Sequence, residues 1–361
     1  MAGFTVPGEN VRAIRRFLTA RKRNLLDMSP EDIALFLEKM GLQPYRCGQI
    51  LRWVYRRGVR DFEGMTDISR DLRKRLSLQL DISIPEIAAV DTSRDGTRKF
   101  LLQLVDGLQV ESVLIPERNH ITCCISTQVG CAQGCRFCLT GRRGLLRNLS
   151  SGEIVGQLLA LKEACPAENI TNVVLMGMGE PLANIHHTLR ALEVLISPQA
   201  LGISRKHVTV STVGLIPGIR KLAAKPSASL AVSLNAATDE VRNRLMPVNR
   251  RYPLGELLAA LRAYPLPPGR RITIEYVMIA DVNDTPADAR RLVSLLRGIR
   301  VKVNLIPLNE APEIPFSRPD EYTVLNFQNE LLERHITAII RKSRGSDIRA
   351  ACGQLQGGLG R

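Results

Sequence analysis

The pattern of apolar and polar positions changes period along the chain. From residue 9 to 80 it is helical. Ser29-Pro30-Glu31-Asp32 predicts a helix start, with serine as cap, proline in the first turn and the acids at the positive dipole end. Ile33, Phe36, Leu37 and Met40 follow at helical spacing, Gly41 ends the run, and residues 46–58 supply a second helix holding Trp53. From Lys99 the period falls to two. Residues 100–104 and 108–115, separated by Val105-Asp106-Gly107, predict a β-hairpin.

Downstream, strand-like runs at 121–126, 172–176, 207–212, 227–234, 271–278, 301–306 and 336–341 alternate with helical candidates. Those helices fall near 151–164, 185–196, 216–224, 238–264, 285–298 and 321–334. Such alternation means parallel strands joined by crossover helices. About six β/α units result, fewer than a closed eight-unit barrel needs. The expected fold is α/β, an open (β/α)6-like partial barrel with a small N-terminal helical domain. The expected organisation is a helical accessory domain over 1–82, a β-hairpin linker region over 83–120, the partial barrel over 121–345 and a mobile tail over 346–361.

Ligand sites of parallel α/β folds collect at the carboxyl ends of strands, and the unusual residues sit there. The predicted strand at 172–176 runs into Gly177-Met178-Gly179-Glu180-Pro181, and 207–210 into Ser211-Thr212-Val213-Gly214. Strand 229–232 runs into Ser233-Leu234-Asn235, and 301–306 into Pro307-Leu308-Asn309. Glycines let backbone approach a ligand, Glu180 can accept from an amine, and serine and asparagine can bind ribose or carboxylate.

Composition narrows the class. With 45% hydrophobic and 24% charged residues the chain reads as an ordinary globular protein. No apolar run approaches the ~18 residues of a membrane span, and the N-terminus lacks a signal-peptide pattern, so the expectation is a cytoplasmic protein that engages no membrane. The net charge of +15 points to a polyanionic partner. Only 4% of residues are aromatic, which favours recognition of a folded RNA by shape and phosphate over base-stacking platforms. Arg12, Arg15, Arg16, Arg21, Lys22 and Arg23, then Arg52, Arg56, Arg57, Arg70, Arg73, Lys74 and Arg75, concentrate positive charge in the N-terminal region.

Of eight cysteines, five crowd into residues 123–138, too closely for a disulfide framework and better suited to metal or redox chemistry. Cys131, Cys135 and Cys138 stand with C-x3-C-x2-C spacing. One loop can wrap those three thiolates around a single inorganic object, leaving a cubane's fourth iron free of protein. A zinc site closes instead with four ligands, so a zinc knuckle borrowing Cys123 or Cys124 is the alternative, and it implies a zinc-stabilised RNA-binding protein without catalysis.

The three-cysteine spacing resembles the radical S-adenosylmethionine (SAM) superfamily. Gln128-Val129-Gly130-Cys131, Cys135-Arg136-Phe137-Cys138, Met176-Gly177-Met178-Gly179-Glu180-Pro181 and the tail 347–355 together resemble the RlmN/Cfr family of radical-SAM RNA methyltransferases. The resemblance covers nearly the whole chain and implies a radical-SAM partial barrel. It implies one [4Fe-4S] cluster on Cys131, Cys135 and Cys138, with SAM on Gly179, Glu180, Ser211, Ser233, Leu234, Asn235 and Asn309. It further implies methylation of adenine C2 in 23S rRNA and in tRNA, with C8 methylation as the alternative. Cys352 matches the cysteine that carries the methyl, Cys124 its resolving partner in a transient disulfide, and Glu111 the proton acceptor. An external electron donor such as flavodoxin or ferredoxin, and a monomeric state, complete the expectation. The chemistry accounts for the residue types. Adenine C2 and C8 are electron-poor carbons that do not attack an electrophilic methyl, whereas a thiolate does. RNA methylthiolation would demand cysteines for a second cluster, and outside residues 123–138 and the tail only Cys47 and Cys165 are spare, far apart.

Overall fold

The computed structural model describes residues 22–357. The arginines at 12, 15, 16 and 21, and the helix expected from residue 9, lie outside the described residues. Helix α1 (Pro30–Lys39) starts as its sequence predicts: Ser29 and Asp32 form a reciprocal capping box, with proline in the first turn. Helices α2 (Tyr45–Tyr55) and α3 (Arg70–Gln79) complete the N-terminal unit. Trp53 donates its indole N–H to Asp67, and the Arg57 guanidinium lies 4.0 Å from the centre of its ring. Leu25, Leu26, Ile33, Ile50 and Leu76 are buried in the same continuous core as the barrel. Asp27 anchors this unit by accepting from the Gly152 amide at 2.7 Å.

The remaining elements follow in order. Strands β1 (Glu86–Thr92), β2 (Arg98–Gln103), β3 (Gln109–Pro116) and β4 (Ile121–Cys124) come first, then the ribbon β5 (Gln128–Cys131) and β6 (Gly144–Asn148) around a short helix α4 (Leu139–Arg142). The crossover series is α5 (Ser151–Ala164), β7 (Ile170–Leu175), α6 (Ile185–Ile196), β8 (Val208–Thr212), α7 (Ile216–Ala224), β9 (Ser229–Ser233), α8 (Asp239–Leu245) and α9 (Leu254–Arg262). It closes with β10 (Ile272–Met278), α10 (Pro286–Leu296), β11 (Val301–Pro307), α11 (Glu321–Leu332) and β12 (Ala338–Ile340).

Ten strands form one sheet in the order β12-β11-β10-β9-β8-β7-β4-β3-β2-β1. From β4 through β12 every neighbour pair is parallel. The end strands do not pair, so the barrel is open. The crossover helices pack side by side as an outer layer, leaving the other face of the sheet for a cavity.

Three departures from the sequence pattern have physical causes. The expected hairpin over 100–115 is joined by a third strand, β1, and all three continue the barrel sheet beyond β4, each antiparallel to its neighbour. All seven residues of β1 are exposed, so no buried face marked it. The helix expected over 238–264 is two helices, because Pro247 and Pro253 interrupt it with a 3-10 turn between them. The tail expected to be mobile is fastened over 346–357, as described below.

Candidate active site

Backbone geometry around β4 and β7 builds the site first. Gln157, fully buried on α5, accepts from Ser112 Oγ and the Ser126 amide, both at 2.8 Å, and donates to the Ser126 carbonyl at 2.9 Å. Ser126 Oγ donates to the Glu111 carbonyl (2.6 Å) and accepts from the Met178 amide (2.8 Å). Gln128 accepts from the Glu180 amide at 2.8 Å. The segment ahead of the cysteine loop is thereby locked to the turn after β7. That turn tolerates only glycine at two positions. A Cβ on Gly179 (φ 97°) would stand 2.5 Å from Gln128 Cβ, and one on Gly177 would stand 2.8 Å from the Ile125 backbone.

These turns rim a cavity of about 890 Å³ of empty space, open mouth included. Its wall includes Cys135 and Cys138 of the cysteine loop, Gly179, Glu180, Ser211 and Ser233 at the strand ends, and Asn309 and Cys352. Glu180 is buried. Its two oxygens accept from the Leu182 and Val213 amides at 3.0 and 2.9 Å, yet burial outweighs those bonds and raises its pKa to about 7.

The three loop thiols Cys131, Cys135 and Cys138 are free and lie within one another's fields. Burial raises all three, Cys131 to about 12. They are neutral at physiological pH unless a cation replaces their protons. Among the described residues no three His, Cys, Asp or Glu side chains converge tightly enough for a single metal ion. A structural zinc site closes with four protein ligands, whereas a cubane can take three thiolates and keep its fourth iron open, so three loop cysteines suit a cluster better than zinc. With cavity volume and strand-end polar groups beside it, the donor set fits a [4Fe-4S] cluster with SAM.

Cys352 is enclosed by protein but keeps an open surface because it faces the cavity. Burial, and then the field of Glu275, raise its thiol to about 11. Its segment is held on several sides. Leu139 N–H donates to the Gly353 carbonyl (2.7 Å), Thr140 Oγ1 to the Leu355 carbonyl (2.6 Å), Asn309 Nδ2 to the Cys352 carbonyl (3.1 Å) and Gln354 Nε2 to the Glu310 carbonyl (3.0 Å). Asp347 accepts from Ser93 Oγ at 2.6 Å. Cys124 is buried, takes a hydrogen bond from the Met176 amide and lies within the field of Cys352. Cys123 alternates to the other face of β4 and is fully buried in the core.

Not every expected residue reaches the cavity. Leu234 packs into the core and does not line it. Asn235 (φ 59°) is a buried brace: its Oδ1 accepts from the Val277 amide at 2.8 Å and its Nδ2 meets Met246 Sδ at 3.2 Å. Glu111 is also off the cavity wall. Its Oε2 accepts from the Gln356 and Gly357 amides at 2.6 and 3.0 Å, and Lys99 Nζ stands 3.4 Å from Oε1.

Two residues escaped the sequence reading. Glu275 on β10 is a buried cavity-lining carboxyl whose Oε1 accepts from Asn304 at 3.0 Å. Its signal was a lone charge inside an otherwise apolar parallel strand. Arg242 on α8, fully buried, carried no signal among so many arginines.

The open parallel barrel, the three-cysteine loop and the cavity at the strand ends define a radical-SAM enzyme, and residues 125–293 match the Radical SAM superfamily. Residues 23–82 match the Ribosomal RNA large subunit methyltransferase N-terminal domain. A radical SAM methyltransferase from Sphaerobacter thermophilus has the same fold, with TM-score 0.86 and 44% identity over 92% of this chain and 99% of that one. The dual-specificity RNA methyltransferase RlmN of Syntrophus aciditrophicus is 51% identical over 92% of this chain and 96% of its own length. That of Syntrophotalea carbinolica is 52% identical over 93% and 90% respectively. The chain belongs to the RlmN family of radical-SAM RNA methyltransferases.

Proposed function

We propose that this protein methylates C2 of adenine in 23S rRNA and in tRNA, with the methyl carried on Cys352. The observation that bears most on this reading is the placement of Cys352, tethered by Asn309 in the cavity wall beside the cysteine loop, where Leu139 N–H holds the next residue's carbonyl, and within the field of Cys124. Cys131, Cys135 and Cys138 would hold a [4Fe-4S] cluster, which together with SAM would supply a methyl donor and, after one-electron reduction, a hydrogen-abstracting radical.

The chain's own groups do the rest. Glu180 receives the ammonium of the bound amino acid moiety, and Gly177 and Gly179 bring backbone up to it. Ser211, Ser233 and Asn309 offer polar atoms to the remaining cofactor edge. Cys352, as thiolate, would take the methyl from SAM as S-adenosylhomocysteine leaves, and after that methyl gives up one hydrogen atom its carbon would bond to the adenine ring. Glu111 accepts the ring proton once residues 356 and 357 lift from its carboxylate. After the adduct has also returned one electron to the donor couple, the Cys124 thiolate attacks Cys352 sulfur and the S–C bond breaks. Its electron pair leaves with the carbon, which takes a proton to become the methyl group. An external two-electron reductant reopens the Cys124–Cys352 disulfide. The N-terminal unit, with Arg52, Arg57, Arg70 and Lys74, contacts RNA phosphates. Flavodoxin or ferredoxin supplies the electron, and the enzyme works as a cytoplasmic monomer. Among the described residues no helix is long and apolar enough to cross a membrane.

Mass spectrometry of nucleosides from rRNA and tRNA of a strain lacking the gene, and of the same strain complemented, tests the assignment. Restored 2-methyladenosine in both RNAs is expected. Restoration of 8-methyladenosine alone would overturn it.

A further inference from the structure

Arg242 has no role in the chemistry just described, yet its side chain is fully buried behind the cysteine loop. Its hydrogen bonds all go to neutral oxygens. Nε donates to the Leu234 carbonyl (3.0 Å), and Nη1 to Asn249 Oδ1 (2.8 Å) and the Tyr252 carbonyl (3.5 Å). Nη2 donates to the Val213 (2.6 Å) and Ser233 (3.3 Å) carbonyls. The donors are satisfied, but the charge is not neutralised by any of these partners. The guanidinium's fork suits these five acceptors, but a buried positive charge that touches no anion is costly, and the bonds alone do not offset it.

The ionisable groups whose fields reach it are Cys135 and Asp239. Asp239 stands one side chain removed, its Oδ1 accepting from the Leu254 amide and from Nδ2 of Asn249, whose Oδ1 accepts from Arg242 Nη1, all at 2.8 Å. Cys135 is a loop thiol, neutral when it carries its proton and anionic as a cluster ligand. Helix α8 also braces the loop directly, since the Arg136 amide donates to the Leu245 carbonyl at 2.9 Å. Val213 and Ser233, whose carbonyls Arg242 grips, both line the cofactor cavity.

We propose that Arg242 is the built-in counter-ion of the iron–sulfur cluster, a positioning residue that raises the cluster's reduction potential while pinning the turns after β8 and β9. A cubane on three thiolates is an anion and gains one more negative charge on reduction. A fixed cation in a low-dielectric site therefore favours the reduced form. This inference rests on the cluster assignment but fails separately from it. A wild-type protein without iron, or without the signal of a reduced cluster, would refute the cluster and leave Arg242 without its object.

The test uses full-length protein reconstituted anaerobically, iron counted per chain, and the cluster potential titrated by electron paramagnetic resonance. Arg242→Gln removes the charge but keeps an amide donor, and its midpoint is expected to move to more negative potential in the chains that carry a cluster. Arg242→Lys keeps a charge that burial makes titratable. Its midpoint is expected near wild type at neutral pH and more negative at alkaline pH, more steeply than in wild type. An Arg242→Gln midpoint equal to wild type would overturn the proposal. If that variant does not fold, a lysine variant that follows the wild-type pH course throughout overturns it instead.

Discussion

Replacing Glu180 by glutamine exposes the electrostatics of cofactor capture. The carboxyl has a pKa of about 7 against an ordinary 4.5, because burial outweighs the two amides that hold it. At about 1.4 kcal/mol per pH unit, that difference is a bias of about 3 kcal/mol toward the neutral acid. Cys131 and Cys135 lie within its field, so an anionic cluster pushes the carboxyl the same way. A ligand that presents an ammonium group binds the carboxylate form. Below about pH 7 each further unit of acidity lowers the carboxylate fraction about tenfold. SAM affinity should therefore climb about tenfold from pH 5.5 to 6.5 and level off only once the pH passes that raised pKa. Glu180→Gln, with no ionisable oxygen, should bind more weakly above pH 7 and show little of that slope. Anaerobic equilibrium dialysis of radiolabelled SAM against reconstituted protein measures both. A wild-type affinity that is flat with pH, or a glutamine variant that keeps the slope, refutes the argument.

Other substitutions address other parts of the site. Cys124→Ala should accumulate a covalent protein–RNA adduct visible on denaturing gels, and free turnover would remove Cys124 from product release. Glu111→Gln should leave Cys352 methylation intact while RNA methylation falls at least tenfold; loss of both, read by peptide and nucleoside mass spectrometry, would assign Glu111 to holding the tail alone. Gly130→Ala combines a φ of 80° with a Cβ 2.0 Å from the Gly144 carbonyl oxygen. It should lower stability by about 1–3 kcal/mol and reduce iron loading through the β5–β6 ribbon; an unchanged melting temperature and iron content would contradict that.

The parallel core was legible because Val173, Val210, Val232, Ile274 and Val303 sit in short apolar runs bounded by turn residues. The cysteine loop and strand-end turns were legible because glycine, cysteine and glutamate there have few structural reasons to recur together. What stayed hidden was non-local. β5 pairs with β6 across the cysteine loop, and Gly130, Cys131 and Gly144 give that ribbon no alternating pattern. Asn235 reads as a ligand contact in sequence, but its left-handed backbone and two buried bonds make it a brace. The tail reads as loose because it is rich in glycine, yet Leu139, Thr140, Asn309 and Glu310 hold it through bonds that span the chain.

The central claim is that the sulfur of Cys352 carries the transferred carbon. Incubating reconstituted enzyme with SAM bearing a deuterated methyl, then digesting it and weighing the peptide that contains Cys352, tests this most directly. The account predicts the label on Cys352 in wild type, and neither peptide label nor methylated adenine in Cys352→Ala. Methylated RNA from the alanine variant would contradict it.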